Sequence, residues 1–332
     1  MLNRLTKLWH PDRFHYHHRL RRGGGFFEGW YFKLVDPEGA QPYALIPGVI
    51  LGEDPHAFIQ VLDGRVGSAV YHRFPIEAFR AERDRFAVSI GENRFSPSGI
   101  RLAIDEGSSP IGQKVSGEIE FGPWRPWPVT WFSPGIMGPY SFVPFMECHH
   151  GILSLDHSLA GTLEVDGVRT AFGGGRGYVE KDWGRSFPAG YVWTHSNHFD
   201  EPGVSLTAAV ALIPWLTGTF RGFIIGFLHA GTLHRFTTYT KAVLERLEMT
   251  DSHLHLRIRN RDHRLEIEAR KAQGALLHAP YEKQMIERVA ETMTSDVDVR
   301  LERLSDGQVV FEGLGEHACL EAQGNLQGVL DG

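Results

Sequence analysis

The sequence predicts an all-β, antiparallel fold divided between two related domains, and three observations predict it. Apolar and polar residues alternate with period two wherever a pattern can be counted, short motifs recur in the second half at a nearly constant offset, and 332 residues exceed what one core usually holds. With 38 glycines and 18 prolines the chain is also rich in turn formers, which argues against a helical bundle, a coiled coil or a disordered protein.

Taken in order, residues 1–25 are basic and lack the apolar run of roughly 7 to 15 residues that an export signal needs. They read as a solvated arm leading into the first strand. FFEGWYFK at 26–33 opens a first domain over 26–189, and strand parity puts Glu28, Trp30 and Phe32 on one face. A second domain over 190–332 opens in the same way, on Gly190, Tyr191, Val192 and Trp193. Between residues 209 and 228 only Arg221 is charged, approaching the roughly 20 residues that span a bilayer. Pro214, Gly218, Gly222 and Gly226 interrupt that run, so 216–219 reads as a turn between two buried strands. Leu254, Leu256 and Ile258 alternate with polar residues, as do Leu265, Ile267 and Ala269 after a polar turn, which makes a hairpin with one wet face. Val297, Val299 and Leu301 ahead of Asp306-Gly307 repeat the device, and Asp63-Gly64 and Asp166-Gly167 mark further turns. Helical spacing is confined to a weak pattern over 285–293. So many strands create edges that closed or nearly closed sheets would remove.

The halves resemble one another. ALIP occurs at 44–47 and 211–214, Phe58-Ile59 answers Phe223-Ile224, His72-Arg73-Phe74 answers His234-Arg235-Phe236, and Trp30 answers Trp193. Four matches in one order at nearly one offset point to a tandem duplication. The first copy carries an extra segment over 133–188, and the active site is expected there.

A formal net charge of −6 leaves no strongly basic face for phosphates, which excludes nucleic acid as a partner. Cys148 and Cys319 lie far apart without CxxC spacing, so neither a disulfide framework nor a structural zinc site is indicated, and a cytoplasmic location fits.

Three aromatic and acidic segments carry chemistry: 26–33, 133–151 and 173–199. Glu28, flanked by large apolar neighbours, is either a buried group partnered by Lys33 or Lys181, with Trp30 plugging a barrel end, or an acid with a raised pKa. Glu180 and Asp182 are two apart, hence on one face of a strand, with Trp183 beside them. Two close carboxylates cannot both ionise cheaply in an apolar site, so one keeps a proton and becomes a general acid; a salt bridge with Lys181 or Arg185 is the structural alternative. The glycines at 173–175 and 177 are not followed by GK[ST], so a phosphate loop is not indicated. Of 18 histidines, adjacent His149 and His150, and likewise His195 and His198, point to opposite faces in strands; HExxH is absent, and neither a metal nor another cofactor is expected. His198 beside Asn197 reads as a polar lining residue or proton carrier, or as a satisfied core histidine. No GxSxG elbow supports a serine hydrolase.

FFEGWYFK, the EKDWG at 180–184, Phe187-Pro188, Trp193, Asn197-His198-Phe199 and the LEIEA at 265–269 together resemble the tocopherol cyclase family, bacterial branch, over about residues 10–325. The resemblance implies two lipocalin-like, calycin-related antiparallel β-barrel domains, as in the allied carotenoid hydratase group. It also implies closure of a chromanol ring from a prenylated hydroquinone. Plant members carry Asn where this chain has Asp182, another residue at His198, and a plastid-targeting extension that is missing here. The reaction type therefore carries over further than the substrate does.

The residues suit that chemistry on their own terms. Protonating a trisubstituted prenyl double bond gives a tertiary cation, which a phenol oxygen captures. A positioned acid contributes about 10² to 10⁴ in rate, and an aromatic face about 2 kcal/mol towards a desolvated cation. The expected roles are Asp182 as proton donor with Glu180 as its partner, and Trp30, Trp183 and Trp193 as cation-facing walls. Asn197 and His198 orient the phenol or take its proton, and Glu28 and Tyr191 line the substrate. The expected ligand is an apolar prenylated or lipid small molecule, with transient contact to a membrane surface left open. The competing readings are a lipid carrier whose acids are structural, and a hydratase or isomerase acting on the same alkene.

Overall fold

In the computed structural model, residues 7–16, 25–143, 146–215 and 218–331 are described. The chain divides into two compact units, one of Met1–Phe187 with Leu276–Arg288, the other of Pro188–Ala275 with Val289–Gly332.

In the first unit, runs of β-branched and aromatic residues between turn clusters give β1 (Phe26–Val35), β2 (Pro42–Leu51), β3 (His56–Asp63), β4 (Ser68–Pro75), β5 (Phe79–Ala81) and β6 (Val88–Ile90). These are followed by β7 (Asn93–Ser96), β8 (Gly99–Ile104), β9 (Val115–Phe121), β10 (Cys148–Val165), β11 (Val168–Ala171) and β12 (Arg176–Gly184). They form one antiparallel sheet in the order β4-β3-β2-β1-β12-β10-β9-β8-β7-β6-β5, with β11 on β10. At Asp166-Gly167, both with positive φ (50° and 81°), the chain makes the two-residue turn that the β10–β11 hairpin requires. A single core holds residues from both halves of this sheet: Trp30 of β1 stacks on Phe86 at 5.7 Å, and Phe32 meets Phe95 at 5.8 Å and Phe121 at 5.9 Å. The sheet therefore curls around its core. Among the described strands no ladder joins β4 to β5, so the expected barrel is an open one.

The arm is not the solvated segment expected. Residues 7–16 are partly buried, and the Phe14 ring packs 5.2 Å from Phe79 and 6.4 Å from Trp30 at the margin of the core. Residues 17–24 lie outside the described residues.

The second unit is built from β13 (Gly190–Ser196), β14 (His198–Phe199), β15 (Ser205–Trp215), β16 (Gly218–His229), β17 (Thr232–Thr237) and β18 (Val243–Met249). It continues with β19 (His253–Arg259), β20 (His263–Arg270) and β23 (Val309–Gly324); β21 (Ala275–Tyr281) after its first residue and β22 (Gln284–Arg303) as far as Arg288 belong to the first unit, and β22 from Val289 onward to the second. The order is β17-β16-β15-β13-β23-β22-β20-β19-β18, again open at its ends among the described strands. The apolar run around Arg221 is the β15–β16 hairpin, with Trp215 paired to Gly218; Leu216 and Thr217 of the expected turn lie outside the described residues. Leu254, Leu256, Ile258, Leu265, Ile267 and Ala269 all enter the core, as their alternation requires. Their polar neighbours form exposed ion pairs such as Arg257–Glu266 at 2.7 Å, worth little to stability individually. The weak helical spacing over 285–293 is overridden, because that segment is part of the long strand β22.

Strand order carries the internal repeat. The path β4-β3-β2-β1-β12 in one sheet and β17-β16-β15-β13-β23 in the other place the paired motifs on matching strands: ALIP on β2 and β15, HRF on β4 and β17, and the tryptophans on β1 and β13. The facing is looser, since Trp30 enters its core whereas Trp193 does not.

Candidate functional site

Strand β12 lies between β1 and β10 in the middle of the first sheet, so its side chains are displayed on two covered faces. Alternation sends Tyr178, Glu180 and Asp182 to one face and Val179, Lys181 and Trp183 to the other. The register sets Asp182 beside Gly29 of β1 and His150 of β10, and sets Lys181 beside Trp30.

On the first face the side chains form a chain of polar contacts. Tyr178 donates its hydroxyl to Oε2 of Glu180 at 2.5 Å; His150 Nε2 lies 3.8 Å from the same oxygen, and His150 Nδ1 lies 2.9 Å from Oδ1 of Asp182. The Cys148 thiol points to that Asp182 oxygen at 3.8 Å. Burial, reinforced by Asp182, pushes the thiol pKa well up, so Cys148 stays protonated and faces Asp182 as a donor. Exposure rises along the chain, from 8% for the Glu180 side chain through 15% for His150 to 25% for Asp182. Asp182 is the open end, and Gly29 puts no side chain beside it. One imidazole thus links two carboxylates, with a phenol behind the inner one. The His150, Glu180 and Asp182 donor atoms lie within 4.8 Å of one another, and one imidazole with two carboxylates is a donor set that suits a divalent metal.

The opposite face holds a different arrangement. Glu28 and Lys181, both fully buried, pair at 2.6 Å. This is the partnered form of Glu28, with Lys181 rather than Lys33 as the partner. The Lys181 ammonium also donates to the carbonyls of Pro11 at 3.1 Å and Arg13 at 2.5 Å, contacts His15 Nδ1 at 2.7 Å, and lies 4.5 Å from the Trp183 ring and 5.2 Å from that of Trp30. The His15 backbone N–H donates to Glu28 at 2.8 Å, and its ring stacks on Trp183 at 4.2 Å. Burial would raise the Glu28 carboxyl, but Lys181 and His15 overrule it and hold it below the usual range. Burial, then the Lys181 charge, lowers His15 to about 4, so it is neutral.

The remaining predicted residues belong to the second unit. Tyr191 and Trp193 alternate away from the core that Val192 enters, and both are buried. Tyr191 donates to Glu321 at 2.7 Å, and Trp193 stacks with His195 at 6.4 Å. Asn197 is fully buried; His198, on β14, meets the His317 ring at 5.2 Å. The structure thus brings together Glu180 with Asp182, and separately Glu28 with Trp30 and Trp183 on the reverse side of the same sheet.

Sequence reasoning missed four residues of the site: His150, Tyr178 and Cys148 on the first face, and His15 on the second. Parity aligns Tyr178 with Glu180 and Asp182, a signal present in the sequence. His150 becomes a neighbour only through the β10–β12 pairing, which joins residues more than thirty positions apart and leaves no local trace.

The tocopherol cyclase-like family model matches residues 103–324, which include β10, β12 and the site they form. A protein of Oryza sativa subsp. japonica described as probable tocopherol cyclase, chloroplastic, is 30% identical over 90% of this chain and 75% of its own length. Two solved structures share the fold at low identity. CghA superposes with a TM-score of 0.57 at 9% identity, over 91% of this chain and 89% of that one. An AttH-type protein of Nitrosomonas europaea gives 0.51 at 12%, over 92% and 93%. On the family match and the extent of the plant likeness, the chain belongs to the tocopherol cyclase-like family.

Proposed function

We propose that the protein is an acid–base enzyme that protonates a double bond of an apolar isoprenoid, and that on a prenylated hydroquinone it closes a chromanol ring. Membership of a family named for a cyclase points to an enzyme. The observation that carries the reaction type is the Tyr178–Glu180–His150–Asp182 chain ending at a partly exposed carboxyl.

In this reading Asp182 gives its proton to the less substituted alkene carbon, leaving a tertiary cation. The phenol oxygen forms the new C–O bond and its proton returns to the Asp182 carboxylate, so the reaction is an isomerisation with no atom gained or lost. His150 holds Asp182 in position and exchanges protons with it, while Glu180, supported by Tyr178, stabilises the imidazolium. Trp30 and Trp183 present their faces to the Lys181 ammonium on the reverse face of the sheet.

The test is incubation with prenylated hydroquinones of several chain lengths in deuterium oxide and in oxygen-18 water. One deuterium and no oxygen-18 in a cyclised product supports the proposal. Oxygen-18 in an alcohol would make the protein a hydratase. Bound lipid that returns without deuterium across the whole series would make it a carrier and overturn the reading.

A further inference from the structure

Residues 122–146 contain a single charged side chain, Arg125, and a concentration of aromatic ones. At one point this segment doubles back: Thr130 and Ser133 exchange backbone hydrogen bonds of 2.9 and 3.2 Å, leaving Trp131 and Phe132 as the two residues of the tip. Turn tips ordinarily carry Gly, Asn, Asp or Pro. Neither residue has a left-handed backbone, so no local geometry calls for a large ring here. Yet Trp131 is 74% and Phe132 is 79% exposed, with Val129 and Phe142 also exposed beside them. The arm braces the tip: Trp9 stacks on Trp131 at 5.3 Å, meets Phe142 edge-on at 5.6 Å, and donates from Nε1 to the carbonyls of Thr130 and Trp131. That arm is basic. Lys7 and Arg13 stand against Asp12 among residues 7–16, and the first 22 residues hold six Lys or Arg and one acid.

We propose that this hairpin docks the protein on an anionic lipid bilayer, with Trp131 and Phe132 in the interfacial layer and Lys7 and Arg13 of the bracing arm on the headgroup side. Amphipathic aromatic rings favour that layer, and clustered Lys and Arg are drawn to anionic lipid. A second copy of the chain fits less well. A stable dimer buries about 800 Å² on each partner, and an apex of two rings supplying roughly 150 to 250 Å² each falls short of it. Such a narrow convex tip enters a fluid phase more readily than a flat protein patch. The mode of contact is peripheral, since no helix among the described residues is long and apolar enough to cross a membrane.

Flotation of the full chain with vesicles of phosphatidylcholine alone and of phosphatidylcholine mixed with phosphatidylglycerol tests the proposal. Wild type should float with the mixed vesicles, less with the neutral ones, and less again as salt shortens the screening length. Trp131→Ala with Phe132→Ala should weaken flotation by about tenfold or more, at unchanged melting temperature. Wild type that floats with neither vesicle, a double variant that floats like wild type, or lipid-independent self-association that the double variant abolishes would each overturn it. Asp182→Asn should float normally, so this outcome is separate from that of the catalytic reading.

Discussion

The two faces of β12 set two carboxylate groupings back to back across one sheet. On one face Glu28 meets a buried ammonium whose remaining donors are taken by two carbonyls and which also contacts an imidazole. On the other, Glu180 and Asp182 are linked through one imidazole, and the outer carboxyl is a quarter exposed. Each face of β12 holds a glutamate and an imidazole; one adds a buried ammonium and the other a second, partly exposed carboxyl. A buried ion pair whose ammonium also donates to two carbonyls of the arm holds its protons fixed and clips the arm to the sheet. A carboxyl joined to a relay at one end and open at the other can pass a proton on.

The most severe way to break this contrast is at the open end. Asp182→Asn should cut turnover by about 10² to 10⁴ with little change in melting temperature, read by product formation alongside thermal unfolding. Removing one partner on the closed face should do the reverse. Lys181→Met leaves Glu28 buried without its counter-charge and should cost about 3 to 5 kcal/mol in denaturant unfolding, while Glu28→Leu with Lys181→Met should recover most of that. A smaller effect comes from pH. His15 has a folded pKa of about 4 against 6.5 for the free side chain, so between those values the unfolded chain binds the extra proton. Stability from neutral His15 is complete above pH 6.5 and is lost as pH falls towards 4, roughly 3 kcal/mol in all. Unfolding midpoints across that range should show the decline, and His15→Asn should flatten it. The smallest change is Cys148→Ala, which removes one long sulfur contact to Asp182 and should alter turnover by less than about tenfold.

Much of the fold was legible because strand alternation is local. The Leu254 to Ala269 hairpin and the β15–β16 hairpin could be read residue by residue, and parity alone separates Glu28, Trp30 and Phe32 from the odd-numbered side of β1. What depends on non-local register could not be read. That His150 reaches Asp182, that Lys181 rather than Lys33 takes Glu28, and that residues 7–16 lie against β12 all follow from strand and arm placements with no short-range signature. The weak helical spacing at 285–293 misled because ladder pairing within a long strand outweighs local propensity. Closure of the sheets was overestimated because whether the end strands meet is decided by curvature, which alternation does not encode.

The register of β1 also governs when the site can exist. Phe27 pairs with Gly184 and Trp30 with Lys181, so β1 waits for a strand synthesised some 150 residues later before its second edge is covered. The second unit repeats the arrangement, with Gly190 paired to Gly324. Such distant partners must be found by diffusion of a long loop, which places folding in the slow range of roughly milliseconds to seconds. The acid chain and the arm clip are both built on β12, so a nascent chain released before residue 184 would have neither.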